Sequence, residues 1–474
     1  KTARRVRIMT EFPYDMHSKA SIIAYAKRLI HQTLRFKCEK VLEPDKIKNK
    51  GNFGQILEKY YFLYEPNSNS EPDFKEVELE LKSSPIKRLK KLQYVSKERL
   101  VLNIINFMEV VEQNFDNSSF WKKNKNLLLI FYLHELEKNF LDYKIEIADE
   151  WSFPEIDLEI IKNDWETITN KIKNGKAHEL SEGDTLYLGA CTKGSKGGNL
   201  REQPYAQIKA KQRAYSLKQG YVNHIIASLS GKNPIYGKVI SSLEVVKSSS
   251  LEEIVVAKFQ FYYGKTTVEI LKLLNISINQ KAKNFYANLS KAILGIELNK
   301  EIEEFSKADI ILKTVRLKEN DLPAEDISFP VFKYTEIISQ EWEESDMKDI
   351  VEHKFLFVFF KLEKEQLVLK KVKFWNMPYQ DINEVQKVWE QTKQVILNGE
   401  IVKDFKVNKS GKRTRVTNFP SKKFSSVSHV RPHAINADDV IELPIKDRIT
   451  QAEEYTKHCF WLNNSYVKQI YLQD

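Results

Sequence analysis

Cysteine is scarce in this chain: three in 474 residues. Cys38, Cys191 and Cys459 are odd in number and widely spaced, which argues against a disulfide framework and against a Cys-x-x-Cys metal site. A reducing compartment, the cytoplasm, is the expectation. Long apolar runs are missing as well. No run of about 18 apolar residues exists, and the first residues carry no signal-peptide pattern, so no membrane role is expected. What is present is a globular composition, with 42% hydrophobic residues and enough length for two or more domains. The charge is tilted to the positive side, 75 Lys and Arg against 65 Asp and Glu, net +10. That balance favours an anionic partner such as nucleic acid.

The most informative stretch is Asp73 to Lys82, D-F-K-E-V-E-L-E-L-K. Apolar and charged residues alternate from Val77 to Lys82, the period of a half-buried strand. Val77, Leu79 and Leu81 then face a core, and Glu80 and Lys82 share the opposite face, roughly 6–7 Å apart along the strand. Asp73 precedes the strand, where a loop can bring its carboxylate beside Glu80. Two converging carboxylates hold a hard cation such as magnesium, and a lysine beside them can orient water and offset charge in phosphodiester hydrolysis. Upstream, Asn52–Tyr64 reads as a helix with Phe53, Ile56, Leu57, Tyr60 and Leu63 as its apolar stripe. Glu58 lies off that stripe and can point towards the strand end. Helices are also expected over Ser18–Arg35 and Glu159–Asn174, and strands over Phe74–Lys82 and Leu127–Leu133. Strands covered by helices make an α/β or α+β sandwich.

The same design is written twice. Asp164-Trp165-Glu166 leads to Asn174-Gly175, and Val388-Trp389-Glu390 leads to Asn398-Gly399, each an amphipathic helix closed by a C-cap signal. The apolar strand Leu127–Leu133 recurs as Phe355–Lys361, Leu217-x-x-x-Tyr221-Val222 as Leu462-x-x-x-Tyr466-Val467, and Asn52-Phe53 as Asn284-Phe285. The Gly/Ser-rich stretch from about Ser228 to Ser250 is the expected boundary. The copies differ where chemistry is expected. Glu58 aligns with Ser290, Glu80 with Ile311, Lys123 with Val351 and Asp73 with Glu304. Lys82 alone keeps its type, as Lys313. The second copy cannot hold a divalent cation in the same way, because isoleucine offers no oxygen.

Gln55-Ile56-Leu57-Glu58, then Asp73-x6-Glu80-x-Lys82 followed by Ser83-Ser84-Pro85, resembles the MutH-type nucleases. The family comprises a mismatch-repair nicking enzyme and type II restriction endonucleases that cut GATC. Lys97–Asn106, Gly175–Gly183 and Ile208–Ala214 resemble the restriction branch, whose members also carry a second, dead copy of the fold. The resemblance implies two restriction-endonuclease-like domains of α/β (α+β) class, each a mixed sheet flanked by helices. Residues 1–235 would be catalytic, and residues 250–474 a catalytically dead, DNA-binding copy. It implies magnesium-dependent cutting 5′ of the G of GATC. Asp73, Glu80 and Glu58 would serve the metal, Lys82 the water, and Lys123 a further active-site lysine position.

For DNA contact the resemblance points to Lys50 and Gly51 before the helix, Lys193, and Tyr215, Ser216 and Lys218. In the second copy it points to Arg431 and His433, from Arg431-Pro432-His433. Read directly, Lys193–Gly198 is a basic flexible loop, and Arg201, Lys209, Lys211, Arg213 and Lys218 follow with tyrosines interleaved, a pattern suited to phosphate contact. The expected partner is double-stranded DNA containing GATC, met by a monomer in solution that can pair on DNA. A methyl-directed GATC nickase is a rival reading, opposed by the presence of a whole second copy. A non-catalytic DNA-binding protein is another, opposed by the intact Glu58, Asp73, Glu80 and Lys82 set.

Overall fold

A computed structural model describes residues 12–38, 53–66, 71–89, 93–194, 199–232, 234–407, 411 and 413–473. Lys50, Gly51 and Asn52, and Ser195–Gly198 of the basic loop, lie outside the described residues. The architecture is mixed α/β, with several sheets flanked by helices, consistent with a restriction-endonuclease-like fold.

In the first half, α1 (Lys19–Lys27) and α2 (Phe53–Ile56) precede β1 (Glu80–Arg88), β2 (Tyr94–Ser96) and β3 (Leu100–Ile104). Then come α3 (Ser119–Asn124), β4 (Asn126–Leu133), β5 (Ile145–Ser152), α4 (Glu155–Lys173), β6 (Leu188–Thr192), β7 (Arg213–Leu217) and α5 (Gln219–Leu229). The main sheet has the order β2-β1-β4-β5, with β1 and β4 parallel and β4 and β5 antiparallel. A second sheet has the order β3-β7-β6. Strand β4 is apolar on both faces because both are covered, as expected for a strand in the middle of a sandwich. Leu128 and Ile130 pack with α1 and α2, while Leu127, Leu129 and Phe131 pack on the α4 side. Helix α4 forms where acids in the first turn and lysines in the last complement its dipole, and it stops at Gly175, whose φ of 69° favours glycine.

The second half contains α6 (Phe285–Ile293), α7 (Glu303–Ala308), β8 (Ile311–Leu317), β9 (Ile327–Val331), α8 (Asp346–Val351), β10 (Phe355–Glu363) and β11 (Gln366–Trp375). It continues with α9 (Tyr379–Leu397), β12 (Ser428–Pro432), β13 (His458–Leu462) and α10 (Asn464–Leu472). Its sheets are ordered β8-β10-β11 and β9-β13-β12. Strands β8 and β10 are parallel with Ile311 opposite Phe355, the register in which Glu80 lies opposite Leu127.

Two expected elements are corrected. The helix expected over Ser18–Arg35 ends at Lys27, because the chain turns through His31 (φ 65°) and pairs with the start of β5: His31 N–H donates to Ile145 O at 2.7 Å and Ile145 N–H to Gln32 O at 2.9 Å. The strand expected from Phe74 begins only at Glu80. Lys75–Val77 forms a 3-10 turn, and Glu78 is left-handed at φ 51°.

The halves meet over an extended apolar seam. One cluster of buried residues runs from Leu129 and Trp165 through Val239, Ile240, Val246 and Phe285 to Leu356 and Val358. The Ser228–Ser250 stretch thus contributes buried side chains of its own. Polar contacts reinforce the seam. Lys307 of α7 and Asp157 of α4 pair at 2.9 Å with side chains 6% and 3% exposed, and Tyr221 donates to the same carboxylate at 3.0 Å. Gly220 N–H donates to Asp309 Oδ2 at 2.9 Å, and a Cβ at Gly220 would lie 1.9 Å from Ser306 O. Among the described residues no helix is long and apolar enough to cross a membrane.

Candidate active site

The turn before β1 builds the site. Phe74 N–H donates to Leu79 O at 2.9 Å, which folds Asp73 back beside the first residue of the strand. Asp73 N–H then donates to Glu80 Oε2 at 3.1 Å, and Leu81 N–H donates to Asp73 Oδ2 at 3.0 Å. Leu79 and Leu81 are buried on one face, as the alternation requires, and Glu80 and Lys82 share the other. Lys82 Nζ donates to Glu80 Oε1 at 2.6 Å. Lys123, in the last turn of α3, brings Nζ to 3.6 Å from the same oxygen. Glu80 itself is 1% exposed.

Glu58 approaches from the helix side. Directly after α2 the chain widens into a π-turn over Leu57–Tyr61, a deviation frequent at functional sites, and Glu58 sits in it. Burial, then the charge of Asp73, push the Glu58 carboxyl up to about 7, against the pull of Lys82. Burial also pushes Glu80 up to about 7, although Lys82 and Lys123 oppose it. The five residues expected from sequence, Glu58, Asp73, Glu80, Lys82 and Lys123, are therefore gathered at one end of β1. Tyr64 is a member the sequence did not reveal. Among the described residues its buried hydroxyl has no hydrogen-bond partner, and burial, with the charges of Asp73, Glu58 and Glu80, raises its pKa.

The donor set fits a hard divalent cation. Carboxylate oxygens dominate, and burial first, with neighbouring acid charge second, drives two of them towards protonation, a cost that a bound cation would offset. Among the described residues no group of three or more His, Cys, Asp or Glu is gathered so that it could hold a metal ion by itself. Magnesium suits such an open arrangement, since it usually takes one or two carboxylates and completes its shell with water and substrate phosphate.

The corresponding positions of the second half are built differently. Ile311 stands at the Glu80 register and Val351 is buried at the end of α8. Ser290 Oγ donates to Tyr286 O at 2.8 Å. Glu304 is turned to backbone, accepting from Val239 N–H at 3.0 Å and Ile240 N–H at 2.8 Å. Lys313 has its pKa lowered by burial alone.

Of the residues expected at DNA, Lys193 is half-buried at the end of β6, its N–H on Gln212 O at 2.8 Å. Tyr215, Ser216 and Lys218 require correction, because β7 is the middle strand of its sheet and all three are buried. Lys218 Nζ donates to Thr185 O at 2.6 Å, and burial pulls its pKa down to about 8. Arg213 is buried as well, with Nη1 on Ala190 O at 3.0 Å. As placed, these side chains brace the sheet and do not face an exterior duplex. Tyr205 and Arg201 remain exposed. In the second half Arg431 and His433 are exposed at the end of β12 and beyond.

Comparison with known proteins identifies the family. The family described as DNA mismatch repair enzyme MutH matches residues 62–164, the segment that carries Asp73, Glu80, Lys82 and Lys123. The type II restriction enzyme Sau3AI of Staphylococcus aureus is 36% identical over 464 residues, covering 89% of this chain and 92% of that protein. The DNA mismatch repair protein MutH of Buchnera aphidicola subsp. Baizongia pistaciae is 29% identical over 135 residues, 28% of this chain and 60% of that protein. With an acid-and-lysine site inside the matched segment and near full-length similarity to a restriction enzyme, the chain belongs to the MutH-like nucleases, in the family of the type II restriction enzyme Sau3AI.

Proposed function

We propose that this protein is a type II restriction endonuclease that cuts both strands of double-stranded DNA at GATC, on the 5′ side of the G, with Mg2+. The observation that carries the reading is the convergence of Asp73, Glu80, Lys82 and Lys123 at the start of β1, with Glu58 beside them. Asp73, Glu80 and Glu58 would hold the metal, which when bound supplies Lewis-acid polarisation of the phosphate and a more acidic water. Lys82 Nζ, set beside Glu80 Oε1, is placed to orient the attacking water and to offset the charge that develops on the phosphoryl oxygens. Asp73, tied to Leu81 N–H, keeps its second oxygen available as a ligand.

In this reading residues 1–235 form the catalytic domain and residues 250–474 a dead copy. The copy retains Arg431 and His433 and binds a second GATC duplex, thereby biasing the catalytic half, a coupling that requires affinity to differ between two states. The enzyme is a monomer in solution that can pair on DNA. DNA contact in the first half is assigned to Lys50, Gly51 and Lys193. A plasmid digest with Mg2+ tests the proposal: linear fragments ending at GATC support it, nicked circles favour the repair nickase, and gel retardation without cutting favours a non-enzymatic binder. Plasmids with two GATC sites should be cut faster per site than plasmids with one, and a GATC duplex added in trans should accelerate the one-site plasmid. Equal rates with no response to the duplex would make the second copy a structural buttress.

A further inference from the structure

The second half carries a charge arrangement that its sequence neighbours do not explain. Asp326, just before β9, has a side chain only 5% exposed. It accepts from Arg431 Nη1 at 3.0 Å and from Asn464 N–H at 2.8 Å, and it is ion-paired with Lys422. The imidazole of His429 lies 3.9 Å away, with Nδ1 hydrogen-bonded to Asn463. The Arg431 guanidinium is stacked 3.8 Å above the Trp461 ring, and the His433 ring flanks the same indole at 5.2 Å. Arg431 thus has its plane fixed by an aromatic and one nitrogen fixed by a carboxylate. Its side chain is still 44% exposed, so the guanidinium is held on both counts while remaining open to solvent.

Among the described residues the first half places a different set at these positions, with Arg99, itself ion-paired to Glu182 and Asp349, where the second half has Asp326. Arg431 lies opposite Cys459 in its sheet, and Cys191 lies opposite Ala214 at the same place in the other. Asp326 precedes Ile327, which pairs with Leu462, and Arg99 precedes Leu100, which pairs with Leu217. Carboxylate and guanidinium are therefore a matched pair in the second half, where the first half has arginine and cysteine.

We propose that Asp326 is a positioning residue that, with Trp461, locks Arg431 in the orientation needed to read a guanine edge in DNA bound to the second half. The inference rests on the reading that this half binds a GATC duplex. A free arginine attracts any phosphate, but bidentate hydrogen bonding to guanine O6 and N7 needs a planar fork held in one orientation. A carboxylate in a DNA-binding patch lowers its general attraction for phosphate. Its value here is sequence discrimination. The role of bland charge balance predicts the opposite sign on mutation, because removing Asp326 makes the patch more positive and should tighten binding to every sequence.

The test uses the full-length protein and a one-site plasmid. The ratio of stimulated to unstimulated cutting is measured against increasing GATC duplex or a scrambled duplex of the same length. Competition of either duplex for the catalytic half is common to all variants. Asp326→Asn, nearly isosteric, should reduce the preference for GATC over scrambled duplex by about tenfold or more, the worth of one bidentate base contact. Stimulation by scrambled duplex should stay equal or rise. Asp326→Glu should recover part of the preference. Trp461→Leu, which removes the stack without touching the carboxylate, should reproduce the loss, and thermal melts confirm that each variant is folded. An unchanged GATC preference in Asp326→Asn and Trp461→Leu overturns the inference while leaving the second-site reading intact, provided that Arg431→Ala abolishes stimulation. If Arg431→Ala stimulates like the parent, the reading fails and the inference with it.

Discussion

Strands β1 and β8 hold the same place in two similarly ordered sheets, yet the side chains at their starts differ, Glu80 and Lys82 on β1 against Ile311 and Lys313 on β8. At β1 a glutamate, an aspartate and two lysines converge within hydrogen-bond or ion-pair reach of one carboxylate. At β8 the glutamate is Ile311, the second lysine is Val351, and the remaining acid, Glu304, is spent on backbone N–H groups. Strand pairing depends on the backbone and the buried faces, so the same register holds in both halves although the side chains projecting from the strand ends differ. The second half also holds the Asp326–Arg431–Trp461 group, where the corresponding positions of the first half are Arg99, Cys191 and Ser216.

The sharpest way to break the comparison is at Glu80. Glu80→Ala should lose about 10^3-fold or more in cleavage rate, since a metal ligand contributes several kcal/mol of transition-state stabilisation. Gel retardation should show that DNA is still bound. Cleavage at the parent rate by the purified variant would remove Glu80 from the centre.

Next comes the pair of conserved-type lysines. Lys82→Ala should abolish cutting, whereas Lys313→Ala should still cut a one-site plasmid. Equal losses in single-turnover rate would show that the asymmetry between β1 and β8 is not functional.

A third test addresses the seam. Asp157→Ala removes one of two carboxylates on buried Lys307, the other being Glu303 at 2.8 Å, so the loss should be about 1–3 kcal/mol, below the cost of stranding a buried charge outright. Urea unfolding should show the loss, and the midpoint of the Lys307→Met, Asp157→Leu double variant should lie closer to the parent. A single variant within about 0.5 kcal/mol of the parent would mean that the ion pair does not hold the halves together.

The smallest effect concerns pH. The Glu58 carboxyl is raised from 4.5 to about 7 in the folded protein. The folded state therefore binds more protons than the unfolded state between those values, and this group's contribution to stability falls as pH rises through that window. In protein stripped of divalent ions, Glu58→Gln should melt at a higher temperature than the parent at pH 8. The gap should close below pH ~4, where both states hold the proton. A gap that is constant with pH would contradict the charge crowding at the site.

Much of this centre was legible in the sequence. Glu80 and Lys82 were placed on one face by a period of two, and the duplication set Ile311 against Glu80 before any coordinates did. The π-turn that carries Glu58 was not legible, because one inserted backbone residue leaves no side-chain signature. The start of β1 was misplaced for a related reason: the alternation continues through Val77, but Glu78 takes a left-handed conformation to bring Asp73 back. Tyr215, Ser216 and Lys218 look like a surface stripe in a basic segment. Their burial depends on partners distant in sequence, such as Thr185 O, 33 residues away from Lys218. Asp326 was silent for the same reason, since its meaning comes from Arg431, 105 residues further on.

The central claim is that one metal-dependent centre exists and that it lies in the first half. Replacing Mg2+ with Fe2+ and adding ascorbate generates short-lived radicals that cut the polypeptide beside the bound ion, and mass spectrometry locates the cuts. The account predicts cuts clustered around Asp73–Lys82 and around Glu58, suppressed by excess Mg2+ and absent in Glu80→Ala. Cuts around Glu304–Lys313 of comparable yield, or cuts in the first half that persist in Glu80→Ala, would contradict it.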